Sequence, residues 1–248
     1  KIRFKTIMVK TIIKNWDNKT WLSSQNYIRC FNNFLLKNIK LNSKSVILDI
    51  GCGRGKILGS LNSKLNLKIK PFGIDITDHK DKDKRINFKK INALKFFNKN
   101  KYKFDLILIK QTIHLLSLSE IKQLLNISKT SLTSNGKIFI FTLDTNKNEI
   151  PTFKLMKSKL SKSIRRDKEI LKLIIKLNAQ VIKKKFFYRV KITKKKYLNM
   201  IQNRYISTLL TFTKKELDKG LGEIQLKYKK DISFKDKLIC LILQNSSK

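Results

Sequence analysis

The sequence predicts an α/β protein built on a doubly wound, mostly parallel sheet with helices on both faces. Three observations predict it. Short strand-like runs recur at 46–50, 68–74, 86–91, 104–109 and 137–143, with helical stretches between them where the pattern is clear. Most of these runs are apolar at successive positions, as strands covered on both faces require. The first of them, Val46 to Ile50, passes straight into Gly51-Cys52-Gly53-Arg54-Gly55 and then a helical pattern reaching Leu65.

Composition bounds the rest. The chain has 248 residues, enough for one substantial α/β domain with or without an appended cap. No apolar run approaches the ~18 residues that span a bilayer. The first residues are too interrupted by charge for a signal peptide. Cys30, Cys52 and Cys240 are widely spaced and suggest neither a disulfide framework nor a metal pattern, so the chain reads as cytoplasmic, with free thiols and no metal. Lys and Arg number 57 against 17 acids, a formal charge of +40. Abundant Lys, Asn and Ile with scarce Arg is the imprint of an AT-rich genome, but scarce Glu is not. Such a charge favours nucleic acid or anionic lipid as a partner and says nothing of fold.

The glycine turn is the most informative stretch. Glycines at 51, 53 and 55 let the backbone bend tightly and let a ligand approach where a Cβ would clash. The following helix N-terminus has unpaired N–H groups. Two ligand classes fit. A dinucleotide site has G-x-G-x-x-G, and its third glycine falls where this chain has Lys56. The observed spacing is instead G-x-G-x-G preceded by Asp49. The run Asp49-Ile50-Gly51-Cys52-Gly53-Arg54-Gly55 resembles motif I of the class I S-adenosylmethionine (SAM) methyltransferases.

The chain in order extends that resemblance. Residues 1–20 are basic and irregular, with Trp16 nearby. Ser23 or Ser24 caps a predicted helix to about Lys40, with Tyr27, Phe31, Phe34, Leu35 and Ile39 at helical spacing. These residues read first as a packing face. The resemblance adds that such a helix often covers the cofactor, which makes Trp21, Tyr27 and Arg29 candidates for that cover and Trp21 and Tyr27 candidates for substrate contact. Asp75 closes the second strand, 26 residues after Asp49. A carboxylate there can accept both ribose hydroxyls of a nucleoside. His79 and the charged run 80–85 read as a solvated loop. After the third strand, Asn92 and Ala93 stand where the family meets the adenine, Asn92 through its side-chain oxygen. The strand Phe104 to Ile109 also resembles the family. Lys110, Gln111 and His114 follow it, at the carboxyl edge where a doubly wound sheet binds ligands. His114 is either a packed loop residue or a substrate ligand and general base. Ser117-x-x-Glu120 is a capping box opening a helix at about Leu118, and Asn135-Gly136 makes the turn into the fifth strand.

Residues 151–196 hold 17 Lys or Arg against 2 acids, which is 37% of 46 residues against 23% for the whole chain. Pro151 opens one or two helices there, read as a basic cap over the sheet edge or as a plain amphipathic helix. A strand at 186–192, a helix at 194–202, a capping box at Thr213-x-x-Glu216 with Gly220 as C-cap, and a closing strand at 236–243 complete the pattern. The run Arg204-Tyr205-Ile206-Ser207-Thr208-Leu209 resembles the tail of trans-aconitate-type methyltransferases. The likeness implies Arg204 and Ser207 near the substrate, and an Arg fork suits a carboxylate.

Taken together, the resemblance implies a Rossmann-like seven-stranded domain over 1–248. In it, 1–42 form a helical cover, 43–145 the SAM-binding core, 146–185 an α-helical basic cap, and 186–248 complete the sheet. SAM is the implied cofactor, contacted by Asp49, Gly51, Cys52, Gly53, Gly55, Asp75, Ile76, Asn92, Ala93, Ile109 and Lys110. His114 is the candidate base, and Arg204, Ser207, His114, Trp21 and Tyr27 are substrate candidates. The implied acceptor is an O or N of a small anionic metabolite. RNA or another polyanion is the alternative, and a non-catalytic binding protein that kept the fold is a third reading. Against RNA, aromatics do not interleave with the basic run.

Overall fold

The computed structural model describes residues 20–178 and 180–244. The N-terminal stretch with Trp16 lies outside them. Strands β1 (Ile47–Ile50), β2 (Phe72–Asp75), β3 (Asn87–Lys90), β4 (Phe104–Lys110), β5 (Leu132–Leu143), β6 (Val181–Thr193) and β7 (Asp231–Gln244) form one sheet in the order β3-β2-β1-β4-β5-β7-β6. The first five are parallel, and β7 runs antiparallel between β5 and β6. Helices α1 (Gln25–Asn38), α2 (Lys56–Leu65), α3 (Ala93–Lys99), α4 (Leu118–Thr130), α5 (Lys154–Lys176), α6 (Lys194–Gln202) and α7 (Lys214–Lys227) cover it. This is the doubly wound, mostly parallel α/β arrangement that the strand pattern predicts.

Successive strand residues point to opposite faces, so an unbroken apolar run feeds two cores at once. On β4, Leu106 and Leu108 join Tyr27, Phe31 and Leu35 of α1 and Leu58 and Leu61 of α2. Ile107 and Ile109 join Phe96 and Phe97 of α3 and Ile121, Leu124 and Leu125 of α4. Phe139 and Phe141 of β5 take the first face, Ile138 and Ile140 the second.

Three expectations are corrected. Asn135-Gly136 is not a turn before β5. Pairing jumps from Phe104–Leu132 to Leu106–Lys137, so 133–136 bulge within the strand. A Cβ on Gly136 would lie 2.4 Å from the Phe104 carbonyl oxygen, which is why glycine sits there. The basic stretch after Pro151 holds one helix, α5, and runs on into β6. In α5, Ile170, Leu171 and Ile174 pack on the sheet with Ile239, Leu241 and Leu243, and the lysines are the solvated face. The loop after β2 is not solvated throughout, because His79 and Asp83 are buried. Gly220 lies inside α7 rather than at its end.

Gly220 faces the buried Phe153, and an added Cβ would sit 2.7 Å from three of its ring carbons. Alanine gains about 1 kcal/mol in helix propensity, but a clash in a filled core costs about 1–3 kcal/mol. Gly220→Ala is therefore expected to lower the denaturant midpoint at unchanged slope; a higher midpoint would show that Phe153 yields freely.

Candidate functional site

The site is built on the carboxyl ends of β1, β2 and β4. All three turn glycines are left-handed, with φ of 74°, 56° and 71° at Gly51, Gly53 and Gly55. The amides of Gly51 and Cys52 donate to the Ile74 carbonyl at 2.8 and 3.1 Å, which ties the turn to the end of β2. A Cβ on Gly51 would lie 2.2 Å from the Thr112 hydroxyl, and one on Gly55 2.2 Å from Ile86 Cδ1. A Cβ on Gly53 would meet nothing within 4 Å. Gly53 is thus the turn glycine that no packed neighbour requires.

Asp75 ends β2. Its Oδ2 accepts from Gly53 N–H at 3.0 Å and its Oδ1 from Thr77 N–H at 2.9 Å. Two carboxylate oxygens offer about four acceptor sites, and among the described residues hydrogen bonds fill two of them. His79 Nε2 lies 3.7 Å from Oδ2. Asp49 is buried on β1, and its Oδ1 has no hydrogen-bond partner among the described residues. Burial pushes its carboxyl up to about 7; Lys110 opposes the shift and Asp75 adds to it. Lys110 ends β4, its Nζ 3.2 Å from Gln111 Oε1 and 5.4 Å from the Tyr27 ring. Cys52 is half-buried, and burial holds its thiol well above the ordinary value.

The remaining expected contacts divide. Ile76 is exposed just beyond Asp75, and Ile109 is buried in the sheet. Ala93 opens α3, and Asn92 is its N-cap. The Asn92 oxygen expected at the adenine accepts from Leu94 N–H at 2.9 Å and Lys95 N–H at 3.4 Å, so it is engaged in capping α3. Trp21 and Tyr27 are core residues. Trp21 Nε1 donates to the buried Asp236 at 2.8 Å while its ring packs edge-on against Tyr205 and Phe234. Tyr27 is fully buried among Phe31, Phe186 and Tyr188, its hydroxyl without a partner among the described residues. Arg29 is exposed and lines a groove on the outer side of α1. Arg204 has φ 53°, and its guanidinium donates to the Leu209 carbonyl, so it braces its own loop. Ser207 is exposed at the start of that loop's 3-10 turn.

His114 sits in the 3-10 turn 113–115 after β4. Burial, and then the Arg166 cation of α5, push its imidazole down to about 4. It is neutral at physiological pH, and as a base it is weak. Arg166 anchors beside it by donating to the Leu116 carbonyl at 2.7 Å. Neither Arg166 nor Asp236 stood out in the sequence. Asp236 had one available clue, an acid beside a continuous apolar strand. Because the folded imidazole refuses a proton, His114 subtracts stability as pH falls from its unfolded value of about 6.5 toward 4. Labelled-histidine NMR is expected to place one titration near 4, and Arg166→Gln to move it upward. A midpoint between 6 and 7 would restore His114 as a candidate base.

No curated protein matches the chain. Among solved structures, the plantazolicin methyltransferase BpumL in complex with SAH aligns over 98% of this chain and 98% of its own, at 19% identity and TM-score 0.54. A putative methyltransferase from an antibiotic biosynthesis pathway of Anabaena variabilis aligns over 87% of this chain and 96% of its own, at 14% identity and TM-score 0.57. A SAM-dependent methyltransferase from Geobacter sulfurreducens in complex with S-adenosyl-L-homocysteine aligns over 95% and 98%, at 14% identity and TM-score 0.54. These likenesses concern the fold. The family model for a methyltransferase domain matches residues 41–205, and the chain belongs to that methyltransferase family.

Proposed function

We propose that the protein transfers the methyl group of SAM to an oxygen or nitrogen of a small anionic acceptor. One observation carries the cofactor half of this reading. The buried Asp49 Oδ1 lacks a donor beside a left-handed glycine turn, and the ammonium of an amino-acid moiety supplies one. Asp75, at the end of β2, suits the ribose, and the bare face of Gly53 admits close approach. Bound SAM supplies an electrophilic methyl on a sulfonium, a good leaving group. The chain's own work is then to position and to exclude water. Asp49 holds the cationic end, Asp75 fixes the sugar, and neutral His114 orients an acceptor by hydrogen bonding without needing to take its proton. The anionic acceptor is supported by Lys110 at the tip of β4 and Arg166 beside His114. RNA or another polyanion is the second reading, favoured by the charge of +40.

Asp49 must be ionised to hold an ammonium. SAM affinity is expected to rise with pH through about 7 and to fall again as the ligand's α-amino group, of ordinary value about 7.7–8.0, loses its proton. Asp49→Asn removes the acid limb only. Calorimetry from pH 5.5 to 9 checks this, and an acid limb that persists in the variant contradicts the assignment. Gly53→Arg is expected to fold yet abolish SAM binding, whereas unchanged binding would overturn the cofactor site.

For the acceptor, tritiated-methyl SAM with a panel of small carboxylates is the assay. Arg166→Gln is expected to raise the acceptor KM about tenfold or more, the worth of a charge-assisted contact of about 1.5–3 kcal/mol, while SAM affinity stays put. Transfer restricted to neutral acceptors would contradict the anionic reading.

A further inference from the structure

β6 is an edge strand of the sheet, and its two faces differ. Alternate residues point to opposite sides. On one side Phe186 and Val190 are buried in the first core, with Tyr188 and Ile192 packed against it. The other side presents Lys183, Lys185, Phe187, Arg189 and Lys191, all exposed. α5 covers only the part beside Val181, where Ile170, Leu171 and Ile174 meet Ile239, Leu241 and Leu243 of β7. Beyond that, β7 adds two cations, with Lys237 opposite Phe187 and Lys235 opposite Arg189. Lys237 is bridged to Glu149, and Asp231 stands at the end of the face, opposite Thr193. None of the four β6 cations on this side has a carboxylate partner among the described residues.

Lysines on an edge strand have an ordinary use, which is to keep a long edge from pairing with another chain. Phe187 does not fit that use. It is 68% exposed, belongs to neither core, and has two cations before it and two after it on the same face. A strand guarded against self-pairing gains nothing from a bare ring. Folding thus sets an aromatic among the cations of the basic run, contrary to the expectation for that run. A second copy of this chain suits the face poorly, because like charges would meet across the pairing. A bilayer suits it poorly too, because entry takes a broad apolar side, and this face offers one ring. A flexible polyanion whose units carry flat faces matches both the charges and the ring.

We propose that this face of β6 and β7 binds a single-stranded nucleic acid, with one base stacked on Phe187 and the phosphates running along Lys183, Lys185, Arg189 and Lys191. Same-face residues recur every ~6.8 Å along a strand, so Lys183 to Lys191 span about 27 Å, enough for the shortest such sites of about four nucleotides. Neither the ring nor the cations read a 2′-hydroxyl, so RNA and DNA strands bind alike. Three strands separate β6 from β1, and the face does not depend on the methyl-transfer reading.

Diffuse attraction to a chain of charge +40 is separated from this face by a variant that changes no charge. Anisotropy of a labelled oligouridine octamer is measured for the natural chain, for Phe187→Ala and Phe187→Trp, for Lys185→Glu with Arg189→Glu, and for Lys215→Glu with Lys219→Glu at exposed positions of α7. Phe187→Ala is expected to bind about tenfold or more weakly, with the salt slope and the unfolding midpoint unchanged, and Phe187→Trp to bind at least as tightly as the natural chain. The β6 pair is expected to lose at least tenfold and to reduce the salt slope by about 1.4 for two lost phosphate contacts; the α7 pair is expected to stay within about threefold. Uridine and deoxyuridine strands are expected to agree within about threefold. Duplex binding, in which no base face is free, is expected to be indifferent to Phe187→Ala. Strand binding unchanged in Phe187→Ala, equal weakening by both charge pairs, equal loss of duplex and strand binding in Phe187→Ala, or no binding of the strand would overturn the proposal. Loss of binding to phosphatidylserine vesicles in Phe187→Ala, with strand binding unchanged, would overturn it and give the face to a membrane. SAM calorimetry on the same variants is expected to be unchanged, so a failed cofactor site and a failed face give different results.

Discussion

The hydrogen bond from Gly53 N–H to the Asp75 carboxylate, with the two amides that bind the Ile74 carbonyl, holds the active edge in shape. It can form only because three residues between Asp49 and Lys56 take left-handed conformations that cost an ordinary residue about 1–2 kcal/mol each. The consequences spread outward. Gly73, paired with Asp49 across β1 and β2, must also lack a side chain, because a Cβ there would sit 2.9 Å from both Cys52 Sγ and Ile86 Cδ1. Ile86 in turn fills the space that Gly55 leaves open. The turn, the end of β2 and the entrance to β3 therefore form one packed unit, and the two carboxylates at its rim are placed by that packing.

The fold was largely legible because a parallel sheet buried on both faces writes itself as uninterrupted apolar runs, and because capping boxes mark helix starts locally. Ser117 with Glu120 and Thr213 with Glu216 both form the reciprocal bonds that their spacing implies. What was illegible depends on partners far away in sequence. Asn135-Gly136 has the chemistry of a turn, yet Phe104 already pairs with Leu132, and the backbone bulges instead of reversing. Gly220 has the chemistry of a C-cap, yet its role is to make room for Phe153. The density of lysine along 154–176 describes the solvated side of α5 and is silent about the apolar side, which decides where the helix lies.

The site divides along the same line. The positions of Asp49 and Asp75 were legible because both lie at the carboxyl-terminal parts of strands, which spacing along the chain locates. Trp21, Tyr27, Asn92 and Arg204 were assigned from the family resemblance, and a resemblance does not reveal which way a side chain turns. Trp21 spends its N–H on Asp236, 215 residues away. Asn92 spends its oxygen on the helix it opens. Arg204 adopts a left-handed backbone that folds its guanidinium onto its own loop. At Trp21, Asn92 and Arg204 a nearby backbone or buried partner takes the polar group, because leaving that partner unsatisfied in the interior costs about 1–3 kcal/mol; Tyr27 is held instead by the rings packed around it.

The charges follow a related logic. Two carboxylates, Asp49 and Asp236, are buried near the tip of β4, and burial raises both. Lys110 is the cation whose field reaches both, and it lowers both without cancelling the effect of burial at either. A sheet edge in this condition is short of positive charge in its interior, although the protein as a whole carries a large excess outside. A cationic group entering beside Asp49 relieves that shortage, and the excess lysines cannot, because their ammonium groups would have to give up water to reach it.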